Sequence, residues 1–216
     1  MNDISPLSSQ DLLIINSQMN QCICKIYIKH GVGTGFFCLI SFPNGQNKIP
    51  VLITCNHILK DEDLQIEKKI NISFSNDEKI KEILIKKDRK IYTSREKDIT
   101  IIEIKPNDDI SNFLELDYEV LSPQFKYIYK YMSVYTLHYP RGDKAKVSFG
   151  IIKEINEEEG RIIHNCFTEP GSCGGPILSN SSFKVIGIHV GTLKQFNQKF
   201  GLLLYKSIID FQKLKE

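Results

Sequence analysis

Three residues of the types used in nucleophilic catalysis occur in the order His57, Asp98 and Cys173. A thiol nucleophile needs a base within hydrogen-bond reach, and histidine supplies one near neutral pH. The base needs an acceptor on its other ring nitrogen to fix its tautomer, and an aspartate provides it. This order of base, acid and nucleophile is one of several known for such triads. We therefore predict that Cys173 attacks a carbonyl carbon, His57 acts as general base and then acid, and Asp98 orients His57.

The glycine-rich segment around Cys173, EPGSCGGP at residues 169–176, is the second chemical signal. The tetrahedral intermediate of acyl transfer needs backbone N–H donors aimed at its oxygen, and a glycine-rich loop bends so that such donors converge. We expect the N–H groups of Gly171 and Cys173 to form this oxyanion hole. Each segment alone is typical of an ordinary turn or strand end. Together, in this order and with strands around them, the segments favour a catalytic site.

The candidate residues adjoin short strand-like runs, which set the fold expected for the chain. His57 follows one run and Asp98 opens another, and six runs lie on each side of the polar segment at 105–112. The runs are 22–29, 33–41, 49–54, 69–74, 80–86, 98–104, 125–139, 145–152, 161–168, 175–179, 184–190 and 199–204. Short strands at fairly regular spacing predict an all-β protein of barrels or sandwiches.

Two further runs have a helical pattern and lie at the ends of the chain. Residues 8–20 predict a short helix capped by Ser8 or Ser9. Residues 205–214 place their apolar side chains near one face and predict a closing helix. The boundaries we expect are an N-terminal extension at 1–20, a first barrel at 21–108, and a linker, second barrel and C-terminal helix at 109–216.

Composition excludes several classes of protein. The chain has 216 residues, a formal net charge of +2, 25% charged residues and 41% hydrophobic residues. So small a net charge predicts neither a nucleic acid nor a membrane surface as partner, and the apolar share argues against intrinsic disorder. The N-terminal apolar cluster at 12–15 is too short for a signal-peptide core. We expect a cytoplasmic monomer that needs no cofactor and acts on a protein or peptide substrate.

Several segments resemble the trypsin-like peptidase family. They are GTGFF at 33–37, LITCNHIL at 52–59, DITIIEI at 98–104, YPRG at 139–142 and GSCGGPI at 171–177. The chain is most similar to the branch with the bacterial glutamyl endopeptidases and the picornaviral chymotrypsin-like cysteine proteases, from about residue 22 to residue 205. The resemblance implies two six-stranded antiparallel β-barrels with the active site in the cleft between them. His57 and Asp98 would lie on the first barrel and Cys173 on the second.

The same resemblance implies a primary specificity pocket. His189 lies in a Gly-x-His segment after the nucleophile loop, and Thr168 lies five residues before Cys173. In that branch these positions hydrogen-bond a Glu or Gln side chain just before the scissile bond, which a histidine and a hydroxyl group suit chemically. Selectivity for Arg or Lys needs an acid six residues before the nucleophile, and that position is Phe167, so basic specificity is rejected.

Three further positions complete the comparison with the family. Val190 and Gly191 would pair with the substrate backbone as an added strand. Ser172 replaces the Asp with which zymogen-type relatives bind a newly cleaved N-terminus, so we expect no proteolytic activation.

The nucleophile position holds Cys173, whereas most cellular relatives have serine there. Three interpretations stay open. Cys173 is a working thiolate paired with His57, or the chain has drifted to a weak or inactive peptide-binding module, or the cysteine is an engineered substitution. The filled roles of base, acid and oxyanion loop favour the first.

A metal site is the competing explanation for the histidines and cysteines. Cys55 and His57 are two residues apart, and Cys166 and Cys173 are candidates to approach them. The spacing fits no zinc pattern and the six cysteines form no CxxC pair, so we predict no metal.

His164 precedes the nucleophile loop, on the same strand face as Thr168. Two interpretations of this histidine stay open. It supports the specificity pocket, or it is an ordinary histidine of the core.

Overall fold

The computed structural model describes residues 6–41, 48–74, 77–122, 124–193, 195 and 197–214. The helices are α1 (Ser9–Gln21), α2 (Phe125–Tyr129) and α3 (Tyr205–Lys213). The strands of the N-terminal half are β1 (Ile23–Ile28), β2 (Gly31–Ser41), β3 (Lys48–Thr54), β4 (Lys69–Phe74), β5 (Asp77–Leu84), β6 (Ile91–Ser94), β7 (Ile99–Glu103) and β8 (Leu114–Glu115). Those of the C-terminal half are β9 (Ser133–His138), β10 (Lys146–Asn156), β11 (Arg161–His164), β12 (Pro176–Ser179), β13 (Val185–Leu193) and β14 (Gln198–Leu203).

The N-terminal half is a half-barrel rather than the six-stranded closed barrel of the expectation. Its strands run in the order β5-β4-β1-β2-β3-β7-β6, and β8 pairs with β2 in parallel. Among the described residues β5 and β6 are the edges of this sheet. The short strands β6 and β8 are additional to the expected ones, because runs of four and two residues are too short to show an alternating pattern.

The C-terminal half is the predicted closed barrel of six strands, in the order β10-β11-β14-β13-β12-β9. The all-β class and the two-barrel architecture are therefore confirmed. The run at 125–139 is wrong in its first part, since α2 occupies Phe125–Tyr129. Phe125 and Tyr129 are four residues apart and both buried, so packing of one helix face overrides the strand propensity of these aromatic residues.

Each terminal helix packs against the half that is distant from it in sequence. Helix α1 is capped by Ser8, whose hydroxyl accepts the Asp11 N–H at 3.2 Å. The Gln18 amide of this helix donates to the Phe183 carbonyl at 2.8 Å, in the second barrel. Helix α3 bonds to the first sheet, where the Gln212 amide donates to the Ser41 carbonyl at 2.9 Å. Neither these nor any other described helix has the length and apolar character needed to cross a membrane.

Candidate active site

His57 and Asp98 meet because β3 and β7 are antiparallel neighbours. Thr54, the last residue of β3, lies opposite Thr100, the second residue of β7. The turn that follows β3 and the residue that precedes β7 therefore lie at the same end of the sheet. The sequence prediction for these two residues depended on this arrangement of strand ends.

Both oxygens of the Asp98 carboxylate bind His57. The ring atom His57 Nδ1 is 2.7 Å from Asp98 Oδ2, and the backbone N–H of His57 donates to Asp98 Oδ1 at 2.8 Å. The first contact holds the proton on Nδ1 and leaves Nε2 for a reacting partner. Asp98 has a φ of +46°, in the left-handed region that residues other than glycine seldom adopt. Such backbone strain concentrates at functional sites.

The pKa of His57 is raised to about 10. The largest cause is the hydrogen bond to Asp98, followed by a hydrogen bond with the Cys173 side chain, while partial burial acts in the opposite direction. The imidazole therefore holds a second proton across the neutral range.

Cys173 differs from the other five cysteines in its exposure. It is partly exposed, whereas the other five are buried. Burial raises the pKa of Cys22 and Cys166 to about 12 and that of Cys55 well above its usual range. Buried thiols of this kind are inert, so the candidate nucleophile is Cys173.

The backbone carbonyls of the nucleophile loop, residues 169–173, all have hydrogen-bond donors. The donors are Ser172 N for Glu169 (3.0 Å), Arg141 N for Pro170 (2.6 Å), Thr34 Oγ1 for Gly171 (2.7 Å), Gly175 N for Ser172 (3.1 Å) and Thr34 N for Cys173 (2.9 Å). Each peptide plane of the loop is therefore fixed by its carbonyl. Two donors come from β2 of the first half, so this loop is held partly across the interface between the halves.

The N–H groups of the same loop divide into two sets. The N–H groups of Glu169 and Ser172, and those of Gly174 and Gly175 just after the loop, have acceptors: the Ser172 hydroxyl for Glu169 and backbone carbonyls for the other three. Those of Gly171 and Cys173 have no acceptor in the described part of the chain. The C=O and N–H of a trans peptide point in opposite directions. The Pro170 and Ser172 carbonyls share their peptide planes with these two N–H groups and accept the N–H groups of Arg141 and Gly175. The Gly171 and Cys173 N–H groups therefore point away from Arg141 and Gly175. Gly171 has a φ of +91°, which requires glycine.

Thr34 is the residue of this region that sequence reasoning missed. Its hydroxyl donates to the Gly171 carbonyl at 2.7 Å and accepts the Tyr139 N–H at 3.1 Å. The segment GTGFF was used only as a family resemblance, and a Cβ at Gly33 or Gly35 would meet apolar side chains of the first half. The signal was the threonine between them, whose hydroxyl points at the nucleophile loop.

His189 lies directly behind the nucleophile loop. The Gly174 N–H donates to its carbonyl at 2.8 Å, and its own N–H donates to the Gly175 carbonyl at 2.8 Å. Its ring atom Nδ1 is 3.1 Å from His164 Nε2, and both rings are buried. Burial lowers the pKa of His164 to about 4, and burial and then the neighbouring His164 lower the pKa of His189 well below its usual range. Both imidazoles are therefore neutral at pH 7.

The other residues singled out by the comparison with the peptidase branch differ in their exposure and pairing. Thr168 is buried and its hydroxyl oxygen has no hydrogen-bond partner among the described residues. Phe167 is 65% exposed. Strand β12 pairs with β13 only as far as Ile188, so within the described residues Val190 and Gly191 have no strand on the side away from β14. An open strand edge of this kind can accept a further strand.

A metal is the alternative use of part of this site. Ligand atoms of Cys55, His57 and Asp98 lie within 4.8 Å of one another. The Cys55 thiol is, however, fully buried and donates to the His189 carbonyl at 3.5 Å. A metal would require the thiolate, which burial disfavours, and would displace the contact between His57 and Asp98. The residues present therefore suit an imidazole–carboxylate pair better than a metal centre.

An open cleft of about 700 Å³ adjoins His57 and Asp98. Its remaining lining residues are Asn56, Lys60, Asp61, Glu62 and Arg95. The side chains of His57 and Asp98 are 44% and 27% exposed. The imidazole is therefore accessible to a peptide and to water.

Solved structures of proteases share this fold. The serine endoprotease from Yersinia pestis matches with a TM-score of 0.65 and 14% identity, over 97% of this chain and 67% of that chain. The inactive form of the Rv3671c protease matches with a TM-score of 0.64 and 16% identity, over 100% of both chains. A serine-to-alanine mutant of Rv3671c from M. tuberculosis H37Rv matches with a TM-score of 0.63 and 16% identity, over 99% of both chains. At such identities the likeness concerns the fold.

Sequence comparison gives the family. No curated protein sequence matches the chain. The model of the trypsin-like peptidase domain matches residues 33–188, which include His57, Asp98 and Cys173. With a match over most of its length and the two-barrel architecture around the site, the chain belongs to the trypsin-like peptidase domain family.

Proposed function

We propose that this protein is an endopeptidase with Cys173 as nucleophile. The observation that carries the proposal is the pair of N–H groups, of Gly171 and Cys173, that have no acceptor among the described residues. They lie beside the one partly exposed thiol among the six cysteines. Two backbone donors next to a nucleophile are what the oxyanion of acyl transfer requires. The bond between His57 and Asp98 supplies the base and the group that orients it.

The reaction proceeds in two steps. The Cys173 thiolate attacks the carbonyl carbon of the scissile bond, and the negative oxygen binds the N–H groups of Gly171 and Cys173. Protonated His57 gives its proton to the leaving amine, the C–N bond breaks and a thioester to Cys173 remains. Neutral His57 then takes a proton from water, whose oxygen attacks the thioester. The acid leaves and the resting pair is restored.

We propose Glu or Gln as the residue before the scissile bond, with Thr168 and His189 as its partners. His164 Nδ1 is buried without a partner in the described residues, and a buried N–H is seldom left unpaired. The proton of His164 is therefore on Nε2, where it donates to His189 Nδ1. This assignment leaves the proton of His189 on Nε2, where a carboxylate or amide oxygen of the substrate would compete for it with the backbone of Phe200.

The preference rests on the similarity to the glutamyl endopeptidase and picornaviral branch, with the neutral histidine pair as its physical support. His164 is then a positioning residue of the pocket. The open edge at Val190 and Gly191 is the place proposed for the substrate backbone, which would add as a strand.

Cleavage profiling on a peptide mixture derived from a proteome tests this function. The wild type is compared with Cys173→Ala, which removes the nucleophile, and with Cys173→Ser, which tests the identity of the nucleophile. We expect cuts after Glu or Gln that disappear in Cys173→Ala. Cuts after other residues would contradict the roles of Thr168 and His189 and leave the peptidase. Folded, reduced protein without cuts that depend on Cys173 would contradict the peptidase.

A non-catalytic peptide-binding module is the second candidate, and the observation that favours it is cysteine at the usual serine position. The two candidates differ in the reactivity of the thiol. The peptidase requires that iodoacetamide alkylates Cys173 much faster than a free thiol at pH 6, and that His57→Ala abolishes this excess. A module would show no excess and would still bind peptides.

A further inference from the structure

Ser172, between the two oxyanion donors, is tied to the second barrel by a buried chain of side chains. Its hydroxyl is 2.7 Å from His138 Nδ1, and His138 Nε2 is 3.0 Å from the hydroxyl of Ser148. Ser172 is fully buried and His138 is 1% exposed. Neither the triad nor the pocket uses His138, for which the sequence suggested no partner.

The direction of these hydrogen bonds follows from counting donors. The Ser172 oxygen already accepts the Glu169 N–H at 3.0 Å, so its own proton needs an acceptor. In the described part of the chain His138 Nδ1 is the acceptor within reach. A neutral imidazole that accepts at Nδ1 donates at Nε2, here to Ser148. Burial lowers the pKa of His138 to about 4, so this neutral form is the one present at pH 7.

We propose that His138 is a positioning residue for the oxyanion hole, acting through Ser172; this role rests on the proposed peptidase function. Ser172 shares one peptide bond with Gly171 and the other with Cys173. The peptide between Ser172 and Cys173 carries the Cys173 N–H, so fixing the Ser172 side chain limits rotation of the plane that holds this oxyanion donor. The Gly171 N–H lies one peptide further away, in the plane whose Pro170 carbonyl accepts the Arg141 N–H. Thr34 and Arg141 hold the loop by its carbonyls, and His138 holds it by its side chain.

We expect loss of the contact between His138 and Ser172 to lower kcat and to leave KM nearly unchanged. Removal of one oxyanion donor lowers kcat by about 10²–10³-fold in a serine protease. Partial disorder of the Cys173 donor is expected to lower kcat by roughly ten- to a hundredfold. The KM should change little, because the pocket and the strand edge that bind the peptide are separate from Ser172.

Four variants isolate the tie between His138 and Ser172. Ser172→Ala removes it from one end, with a small change of volume. His138→Gln moves the polar group away from the Nδ1 position, whereas His138→Asn keeps an acceptor oxygen near it and should restore part of the activity. His30→Gln is the matched control, because His30 is an exposed histidine.

Three measurements are made on the full chain, each variant being first checked for folding by circular dichroism. They are kcat and KM on the best peptide from the profiling, the rate of Cys173 alkylation by iodoacetamide, and hydrogen exchange of the peptide that spans residues 169–175. Alkylation needs the thiolate but no oxyanion hole, so it should stay at the wild-type rate while kcat falls. Exchange in the loop should become roughly tenfold faster in Ser172→Ala and His138→Gln.

The outcomes separate this proposal from the peptidase proposal. Unchanged kcat and unchanged loop exchange in folded Ser172→Ala would overturn it, and so would a fall in kcat matched by an equal fall in the alkylation rate. If the wild type has no turnover, the peptidase proposal fails and exchange alone decides. Faster exchange would still support the positioning role, and unchanged exchange would refute it. If His138→Gln does not fold, Ser172→Ala and His138→Asn carry the comparison.

Discussion

Three imidazoles buried in the second barrel, those of His138, His164 and His189, should make the folded protein sensitive to acid. Burial lowers the pKa of His138 and His164 to about 4, from an ordinary value of 6.5. Between these two pH values the unfolded chain binds protons that the folded chain does not. The free energy of unfolding therefore falls as the pH falls from 6.5 towards 4, and this contribution is fully present only above 6.5.

The magnitude follows from the size of the shift. One pKa unit corresponds to 1.36 kcal/mol, so each of the two groups costs roughly 2–3 kcal/mol when the pH falls from 7.5 to 4.5. Together they amount to roughly 5 kcal/mol, which is a large part of the stability of an ordinary domain. His57 has the opposite sign. Its raised pKa gives stability that is present below 6.5 and is lost as the pH rises through about 10. Stability should therefore be greatest near pH 6.5.

Urea denaturation followed by circular dichroism, at half-unit steps from pH 4.5 to pH 9, measures this dependence; the chain has no tryptophan for a fluorescence assay. Carboxylates contribute to acid loss as well, so the variant His164→Gln isolates one imidazole. Its loss of stability between pH 7.5 and 4.5 should be smaller than that of the wild type by roughly 2–3 kcal/mol. His30→Gln should keep the wild-type slope. An equal slope in wild type and His164→Gln would refute the reasoning.

Three other outcomes are expected. In Asp98→Asn the alkaline limb of the pH–kcat profile should move to lower pH, because the bond to Asp98 is the largest cause of the raised pKa of His57; a limb that stays in place would contradict that cause. Asp108→Asn should cost about 3–5 kcal/mol in urea denaturation, because Asp108 receives both Arg89 amino groups at 2.7 and 2.9 Å in a buried pair; a cost below about 1 kcal/mol would contradict it. Gly174→Ala should disorder the nucleophile loop and abolish turnover, because φ is +89° and the new Cβ would overlap a carbonyl oxygen of β2; an active, wild-type-like variant would show that the loop can shift.

The sequence was informative where a feature is local. Seven of the twelve expected runs match a strand to within two residues at both ends, and the Ser8 cap of α1 was predicted. His57 and Asp98 could be paired because each adjoins the end of an apolar strand. The segment at 125–129 was wrong because its aromatic residues suit a strand and a buried helix face equally well.

Polar contacts between residues that are distant in sequence could not be predicted, and the reason is physical. His138 and Ser172 are 34 residues apart, and Thr34 and Gly171 are 137 residues apart. A hydrogen bond between such positions leaves no periodicity and no fixed spacing, since register and loop geometry decide which polar groups meet. The same holds for His164 and His189, which are 25 residues apart. Their residue types suggested roles in a pocket, but nothing in the sequence predicted the contact between them.

The division of the site between two halves places a demand on their interface. His57 and Asp98 belong to the first half, whereas Cys173 and its loop belong to the second. The hydroxyl of Thr34 has one proton to donate and uses it on the Gly171 carbonyl, while its oxygen accepts the Tyr139 N–H. Separation of the halves would break the bond from Thr34 to the Gly171 carbonyl and would free the peptide between Gly171 and Ser172. It would also move the Cys173 thiol away from the His57 imidazole. The peptide between the two proposed oxyanion donors is therefore held by a residue of the half that carries His57 and Asp98, so the shape of the nucleophile loop depends on the contact between the halves.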